Sequence, residues 1–452
     1  MIDKLRSQIA GPVLTRGDEG FAAEVAAQNT RVVHSPELAV GATSEDDVAA
    51  AVSAAVANGL PVRVLATGHG SFAPVNDGIL VTTARLSGVT IDAEKRLAHI
   101  QAGCRWAEVI AAAAEHGLAP VCGASDNVGT IGYTLGGGLG PLARTYGFSS
   151  DWARGFRVVT ADGSVVSASA TENPDLFWAL RGGKGGFGVV TSMDFELVEL
   201  STLYGGSVFF SAEHIASVLP AWIEWTRTAP ESASSSVAIL RLPPFDFIPE
   251  PLRGKTVLTV RFAHIGDPAE GERLFQPIRE LAPAVIEAIG ELPAAQIAQI
   301  HNDPRDPGPV WERGMLLDEL DADFAAALLE VAGPDQDLPI VVIDLRHLGG
   351  ATHRDVPESS AVGGRGAHYA FTIIGVPNPG LFSEVLPRVV DDGILARLAP
   401  WISAQSTINF AGGLSVPGSY KASWPADIFA RLAELRATYD PRGVFPYGPA
   451  TS

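Results

Sequence analysis

The sequence predicts an α+β protein with two domains, one of alternating strands and helices and one built on a larger sheet covered by helices. Three observations predict this. The chain has 452 residues, which is more than one hydrophobic core usually holds. Hydrophobic residues make up 46% and charged residues 18%, a globular composition with ample apolar material for buried interiors. After about residue 200 the strand-like runs become longer, which indicates a second kind of sheet.

The first predicted elements lead into a histidine turn. Ser44 and the acidic residues after it have the pattern of a helix N-terminus, apolar residues follow at helical spacing, and Gly59 ends the helix. An apolar strand is predicted at 61–66, and Thr67-Gly68-His69-Gly70 follows it directly. The other elements predicted before residue 200 are strands at 79–83, 89–92, 97–102 and 189–197, a hairpin at 156–168 that turns at Asp162-Gly163, and helices at 105–116 and 174–180.

The second domain is predicted from fewer elements. Strands are expected at 256–262 and 340–345, and helices at 268–281 and 321–331. Proline-rich segments at 243–251 and 303–309 are predicted as loops.

The net charge of the chain excludes some classes of binding partner. There are 51 acidic and 32 basic residues, which gives a formal charge of −19. A surface of that sign repels nucleic acid and anionic membranes. We therefore expect a small-molecule substrate as the partner, with the protein acting as a monomer or homodimer.

The cysteines and the N-terminus favour a cytoplasmic protein. Cys104 and Cys122 are the only two cysteines, too few for a disulfide framework or a four-cysteine zinc site, and no metal is predicted. A small buried apolar residue is the commoner role for each. The first ten residues lack the unbroken apolar core of a secretory signal, and no later window reaches the ~18 apolar residues that span a bilayer.

His69 stands between two glycines at the end of a predicted strand, so its ring lies where the backbone can approach a ligand closely. On composition alone, a histidine that only bonds its own loop is the commoner case. A second glycine-rich run covers 129–140. Both loops offer backbone amides, the donors that a pyrophosphate needs where basic side chains are missing.

Two common nucleotide motifs are disfavoured. Gly183, Gly185 and Gly188 have the G-x-G-x-x-G spacing, but a helix is predicted before them and a strand after them, the reverse of a Rossmann unit. The run that ends at Gly140 lacks the lysine and hydroxyl residue of a P-loop. Two glycine loops of this kind suit a dinucleotide bound in extended form.

Several motifs then occur in a fixed order along nearly the whole chain. They are Thr67-Gly68-His69-Gly70, the run from Asn127 to Gly140, Tyr146-Gly147 with Asp151, Asn173 to Gly183, Phe187-Gly188-Val189-Val190, and Tyr439-Asp440-Pro441 with Val444-Phe445. With them the chain resembles the vanillyl-alcohol oxidase superfamily and, within it, the berberine-bridge-enzyme-like oxidases. The resemblance implies a two-domain PCMH-type FAD-binding fold. Residues 1–200 would form the FAD domain, 201–402 a substrate domain with an antiparallel sheet covered by helices, and 403–452 a segment that returns to the FAD domain.

The resemblance also implies FAD as cofactor, bound covalently from His69 to the flavin 8-methyl group. Many relatives have a second bond from a cysteine at the position of Ser125, and Cys122 lies three residues further upstream. A single covalent bond is therefore expected. The other positions implied to contact the cofactor are Leu65, Ala66, Thr67, Gly68, Gly70, Ser71, Ser125, Asn127, Val128, Gly129, Gly132, Gly136, Gly137, Gly138, Gly140, Gly188, Val189 and Val190.

Catalytic candidates are fewer. In relatives the residue at Val128 lies over the flavin face where oxygen reacts, and a valine leaves that path open; a plain core role is the alternative. Tyr133 is expected either at the flavin or packed in the domain interface. Alternation along a strand lets only one of Arg346 and His347 face the cavity. Further candidates, each with an ordinary surface or core role as the alternative, are His353, His368, Tyr369 and Asn409.

The implied activity is that of an oxidase. Hydride from an alcohol, amine or activated C–H would reach the flavin, and molecular oxygen would reoxidise it to give hydrogen peroxide. Relatives of the berberine-bridge type have a glutamate base late in the strand 369–376, where this chain has Thr372-Ile373-Ile374-Gly375 and no acid. A flavin dehydrogenase with another acceptor and a catalytically idle flavin-binding protein stay open as alternatives.

Overall fold

The computed structural model describes residues 2–71, 73–411 and 418–447. The chain is α+β, as predicted, and a large antiparallel sheet follows a four-stranded sheet, a five-stranded sheet and a two-stranded pair. The helices are α1 Ile2–Gln8, α2 Phe21–Glu24, α3 Glu45–Asn58, α4 Trp106–Ala114, α5 Thr130–Leu135, α6 Ala143–Tyr146, α7 Pro174–Leu180, α8 Ile215–Thr226, α9 Pro268–Arg279, α10 Ala322–Ala332, α11 Val385–Pro387, α12 Ala396–Leu398, α13 Ser419–Ala422 and α14 Ala426–Tyr439.

The first sheet has the order β1-β2-β4-β3, with β2, β4 and β3 parallel. Its strands are β1 Val13–Leu14, β2 Leu38–Gly41, β3 Val62–Leu65 and β4 Ile79–Thr82. Helix α3 precedes β3 as predicted: the Ser44 hydroxyl accepts a hydrogen bond from the Asp47 amide, and Gly59 ends the helix at φ 67°. The C-terminal end of β3 leads into the His69 turn.

The second sheet is antiparallel and has the order β5-β6-β10-β8-β9. Its strands are β5 Val89–Asp92, β6 Leu97–Gln101, β8 Ala153–Val159, β9 Val165–Ser169 and β10 Val189–Glu196, and β7 Leu118–Ala119 pairs separately with β11 Val198–Glu199. The hairpin of β8 and β9 turns at Asp162-Gly163, with Gly163 at φ 82°, as predicted.

The third sheet has seven antiparallel strands in the order β15-β12-β14-β13-β17-β18-β16. They are β12 Thr202–Ser211, β13 Ala233–Arg241, β14 Thr256–His264, β15 Ala284–Pro293, β16 Glu312–Leu317, β17 Ile340–His347 and β18 Tyr369–Gly375. One face packs against α8, α9, α10 and the helical turns at 385–398 in a single apolar core. The other face contributes Leu203, Ala263, Leu316 and Ala370 to apolar clusters shared with residues before 200.

The last described residues return to the N-terminal region. The Val62 amide donates to the Val444 carbonyl, so the C-terminal segment extends the edge of the first sheet. The Trp424 indole donates to the Gly182 carbonyl, and Arg436 donates to the carbonyls of Gly183 and Gly185. These contacts agree with the predicted return of the tail, while the domain boundaries at 200 and 402 stay predictions. Within the described ranges, no helix is long and apolar enough to cross a membrane.

Candidate active site

The His69 turn needs a glycine beside the histidine. Gly68 adopts φ 72°, and a Cβ there would lie 2.5 Å from the Ala27 Cβ, so only glycine fits. The His69 Nδ1 atom lies 2.8 Å from the Thr67 hydroxyl, which fixes the ring orientation. Burial, with a smaller contribution from the positive charge of Arg105, lowers the pKa of His69 to about 4. The imidazole is therefore neutral at neutral pH and keeps a lone pair for bond formation.

The loop before α5 lies directly against this turn. A Cβ at Gly129 would lie 3.3 Å from the Thr67 methyl group, so the two loops are in contact. Arg105 donates to both the backbone carbonyl and the side-chain oxygen of Asn127, and the Trp106 amide donates to the Val128 carbonyl. The predicted positions 127–129 therefore form one wall beside His69.

The glycines of the second run serve two different purposes. A Cβ at Gly140 would lie 1.8 Å from the Cys122 carbonyl oxygen, and one at Gly138 would lie 2.4 Å from the Tyr133 ring, so both are required by packing. Around Gly132 and Gly70, by contrast, no described atom lies within 4 Å of a built Cβ. Backbone at these two positions borders open space, where a ligand can approach it.

The segment predicted at the adenine end is the start of β10. Gly188 adopts φ 148°, and a Cβ there would lie 2.5 Å from the Val159 carbonyl oxygen. Val189 and Val190 pair with Val159 and Val158 of β8 and are buried. Gly188 therefore lets β10 begin in close contact with β8.

Neither cysteine resembles a reactive thiol. Cys122 is fully buried, and burial raises its pKa to about 12. Cys104 is also buried, with its sulfur bonded to the backbone of Gly88. Ser125 is half-buried in the loop before Asn127.

The face of the seven-stranded sheet that is turned away from its helices carries a buried charge cluster. The Asp344 carboxylate accepts a hydrogen bond from Arg261 Nη1 and one from Arg346 Nε, both at 2.7 Å. Burial acts to raise the pKa of Asp344, but the two guanidinium groups outweigh it and hold the pKa below its ordinary value. A cavity between this cluster and the end of the glycine run is lined by Leu139, Gly140, Ser234, Ser236, Arg261, His301 and Arg346, among others.

Comparison with known proteins agrees with this arrangement. Residues 36–169 match the family model of the FAD binding domain. The (R)-6-hydroxynicotine oxidase of Paenarthrobacter nicotinovorans is 31% identical over 291 residues, which span 62% of this chain and 60% of that protein. The crystal structure of 6-hydroxy-D-nicotine oxidase from Arthrobacter nicotinovorans superimposes with a TM-score of 0.84 at 24% identity and covers 97% of both chains.

The chain is an FAD-linked oxidoreductase, and its fold is that of the solved 6-hydroxy-D-nicotine oxidase. A further solved structure, of glucooligosaccharide oxidase from Acremonium strictum, has a TM-score of 0.80 at 22% identity and covers 98% of this chain and 97% of that chain. That protein holds a 6-S-cysteinyl, 8α-N1-histidyl FAD. In the present oxidoreductase, the open backbone at Gly70 and Gly132 and the neutral imidazole of His69 fit FAD as a ligand.

Arg346 and His347 of the oxidoreductase lie on opposite faces of β17, as alternation requires. Arg346 points with Asp344 toward the cavity, and its guanidinium lies 5.2 Å from the centre of the Phe410 ring. His347 Nε2 lies 2.9 Å from Arg144 Nη1, and the His347 ring lies against Tyr369 in the helix-covered core. The structure therefore places the Arg346 guanidinium beside Asp344 at the candidate site and holds the His347 ring against Arg144 and Tyr369, although both residues line the cavity.

Tyr133 and Asn409 belong to the supports of the glycine run. The Tyr133 ring packs against Gly123 and Gly138 and forms an edge contact with Trp106, and all three of these residues precede residue 200. Asn409 donates to the Tyr133 carbonyl and accepts from Lys184, whose ammonium also donates to the Gly132 carbonyl at 2.5 Å. Sequence reasoning missed Lys184, although a lysine inside a glycine run is a visible signal.

The remaining candidates lie away from the cavity. His353 Nε2 lies 2.9 Å from the Ala367 carbonyl oxygen, and the His353 ring contacts His368. The Tyr369 hydroxyl bonds to Thr226 of α8 on the helix-covered side of the sheet. These three side chains have ordinary structural contacts.

Glu312 is a further candidate that sequence reasoning missed. It pairs with Ile374, the position late in β18 where no acid was found, and so lies on the neighbouring strand. Residues 312, 314 and 316 share the face turned toward the C-terminal segment, because a Cβ at Gly314 would meet the Phe410 carbonyl. Burial raises the pKa of Glu312 to about 7, and Arg346 opposes the shift. The available signal was an acid at the head of the strand Glu312–Leu317, whose last three residues are apolar.

Proposed function

We propose that this oxidoreductase is an oxidase that holds FAD through one covalent bond to His69 and acts on a small alcohol, amine or activated C–H substrate. Bound FAD would accept hydride from the substrate and pass the electrons to molecular oxygen, giving hydrogen peroxide. The observation that carries the proposal is His69, a neutral imidazole on a glycine turn beside open backbone. The positions that the resemblance implies for the cofactor remain its proposed contacts.

The covalent bond is proposed from His69 alone. A neutral imidazole is the nucleophilic form, and the Thr67 hydroxyl restricts its rotation. Ser125 supplies no thiol where doubly linked relatives have one. Cys122 is buried, its pKa is raised to about 12, and its thiol is therefore protonated and unreactive at neutral pH.

Glu312 is the proposed proton acceptor for the substrate. Its pKa of about 7 suits a base that works near neutral pH. Among the described residues no hydrogen bond or ion pair holds its carboxylate, so it is available to accept a proton from a hydroxyl or amine. Arg346 on the same face would orient the substrate.

Oxygen is proposed as the acceptor because of Val128, a half-buried residue in the loop beside His69. The two other readings make different predictions. A dehydrogenase would bleach anaerobically with substrate but reoxidise slowly in air without peroxide. An idle flavin-binding protein would not bleach with any member of a substrate panel.

The test has two stages. The purified protein is precipitated with acid, and the visible spectrum of the dissolved pellet shows whether flavin stays on the polypeptide. The protein is then mixed anaerobically with alcohols and amines, bleaching at the flavin maximum is recorded, and peroxide is measured after air is admitted. A colourless protein that cannot be reconstituted with FAD would contradict the proposal.

A further inference from the structure

We propose that the cavity lined by Arg261, Arg346, Ser234, Ser236 and His301 binds a carboxylate group of the substrate, so that the substrates are small organic acids. We call these five residues the anion cluster. That its ligand is the substrate rests on the proposed oxidase function; the binding of a carboxylate there does not.

The cluster carries more positive than negative charge. Asp344 bonds to both Arg261 and Arg346, so two guanidinium groups share one carboxylate. The side chains of Arg261 and Asp344 are only 9% and 6% exposed. One arginine would neutralise Asp344, and the second, Arg346, whose side chain is 22% exposed, is a partly buried cation that a bound anion would stabilise. The charge of Asp303 acts to raise the pKa of Arg346, and the charge of Arg346 acts to lower the pKa of Glu312. Neither carboxylate forms an ion pair with Arg346 in the described structure.

The register of the sheet brings the donors into one row. Arg346 of β17 is paired with Ser236 of β13, and Ser236 is paired with Arg261 of β14. Residues that pair directly point to the same face. The row therefore presents two guanidinium groups with a hydroxyl between them, and Nη1 and Nη2 of Arg346 bond to no described residue. A planar carboxylate suits such a fork of N–H donors.

Two buried hydroxyls in the cluster lack partners. Ser234 and Ser236 are 8% and 4% exposed, and neither Oγ atom has a hydrogen-bond partner in the described structure. Buried polar groups are normally satisfied, so orphan donors beside excess positive charge indicate an acceptor that arrives with a ligand. Ser235, between them, differs: it bonds to Trp222 and to the Arg261 carbonyl on the other face.

His301 also lines the cavity, and its imidazole is neutral, so it adds no charge to the anion cluster. Burial, and then the positive charges of Arg261 and Arg346, keep the pKa of His301 well below its ordinary value. A neutral imidazole can donate one N–H to an anion, whereas an aliphatic side chain at this position could not.

The position of the anion cluster is also consistent with Glu312 as the proton acceptor. On β18, the row of Arg346 is at Ala370 and that of Glu312 is at Ile374, four residues or ~13 Å along the strand. Both side chains extend over the same face and shorten this span. An acid whose carboxylate contacts Arg346 would direct its hydroxyl or amine carbon toward Glu312, as a small hydroxy or amino acid can.

The experiment is calorimetric titration of the protein as purified, at pH 7, with three matched pairs: acetate and acetamide, benzoate and benzamide, phenylacetate and phenylacetamide. We expect at least one carboxylate to bind about tenfold or more tightly than its amide, since a charged hydrogen bond is lost in the amide. Inorganic phosphate and methanesulfonate are titrated in parallel. Tighter binding of either than of every carboxylate would overturn the assignment to carboxylates.

Arg346→Met is the decisive variant, because the Arg261–Asp344 ion pair stays intact and protects the fold. It should weaken the carboxylate about tenfold to a hundredfold and leave its amide within twofold. Ser234→Ala with Ser236→Ala should weaken it by a smaller factor. The matched control is Arg313→Met, which removes an arginine on the helix-covered face, where Arg313 pairs with Asp391.

Three further outcomes overturn the inference. Carboxylates and amides could bind equally, Arg346→Met could weaken both members of a pair equally, or Arg313→Met could act like Arg346→Met. The proposed oxidase function is judged separately by bleaching and peroxide. If the protein binds carboxylates but its flavin never bleaches, the anion cluster is supported and the oxidase function is rejected. If the flavin bleaches but carboxylates bind no better than amides, the oxidase function is supported and the anion cluster is rejected.

Discussion

The two sides of the candidate site are built in different ways. The cofactor side comes from short contiguous segments, the turn at 67–70 and the loop and helix at 125–140, in which backbone geometry decides the shape. The substrate side comes from separate residues on four strands, β13, β14, β16 and β17, whose side chains meet through sheet register, and from His301 between β15 and β16. The first side is a property of local sequence and the second a property of topology. Substitutions on the cofactor side should therefore alter flavin binding or stability, and substitutions on the substrate side should alter substrate binding or turnover.

His69→Ala is expected to have the largest effect, the loss of essentially all acid-stable flavin. The alanine variant has no nucleophile on the turn, so FAD should be released when the protein is precipitated with acid. The measurement is flavin absorbance in pellet and supernatant.

Cys122→Ala is the matched control for His69→Ala and should retain the bound flavin in full, because the Cys122 thiol is buried and protonated. A pellet of His69→Ala that stays yellow would place the bond on another residue and remove the main argument for the cofactor side.

Glu312→Gln should lower kcat/KM by about a hundredfold or more, the usual contribution of a general base. The wild-type rate should rise with pH through the Glu312 pKa of about 7, since the ionised form is active, and the variant should lose this limb. The measurement is a pH profile of kcat/KM, with Glu291→Gln on the edge strand β15 as control. An unchanged limb near pH 7 in the variant would rule out Glu312 as the base.

The same residue should affect stability with a definite sign. Its pKa is raised in the folded state, so the folded protein binds more protons than the unfolded chain between the ordinary value of 4.5 and about 7. Wild-type stability should therefore fall as pH rises through this window, and that of Glu312→Gln should fall less. Melting temperatures at pH 5 and pH 8 test this independently of activity.

Much of the cofactor side could be predicted from the sequence because its signals are local. The helix cap at Ser44 and the strand before His69 occur as expected, and the structure shows that packing requires the glycines at 68, 138 and 140. The substrate side could not be read this way. Strand β13 begins Ala233-Ser234-Ser235-Ser236, which lacks an apolar pattern because two serines face a cavity, and no strand was predicted there.

Glu312 was missed for a related reason. The expected base was sought on the strand 369–376, and only the pairing of Glu312 with Ile374 shows that an adjacent strand supplies an acid at the same level. Alternation did predict that Arg346 and His347 diverge, but the choice between them needed the contact of His347 with Arg144. Pairing between distant strands is the information that a single sequence lacks.

Gly140→Ala and Gly132→Ala test which glycines of the cofactor side are required by packing and which border open space. The first places a Cβ 1.8 Å from the Cys122 carbonyl oxygen and should destabilise the protein by about 3 kcal/mol or more. The second borders open space within α5 and should leave the apoprotein unchanged or stabilise it by up to about 1 kcal/mol. Denaturant unfolding measures both. If Gly132 borders the cofactor, its variant should instead show reduced flavin content, and full loading would place the FAD elsewhere.

His347→Gln is expected to have the smallest effect, a change in kcat/KM of about twofold or less. The His347 ring is held by Arg144 and Tyr369 and contacts none of the proposed reacting groups. The His347 ring lies in the helix-covered core against Tyr369, and its partner Arg144 also donates to the backbone at Leu348, Ala233 and Ala229. Glutamine can still accept from Arg144, so the fold should persist. Steady-state kinetics beside Arg346→Met give the comparison. A large loss of activity at unchanged melting temperature would mean that the two faces of β17 have been assigned the wrong way round, and the substrate side would then have to be rebuilt from His347.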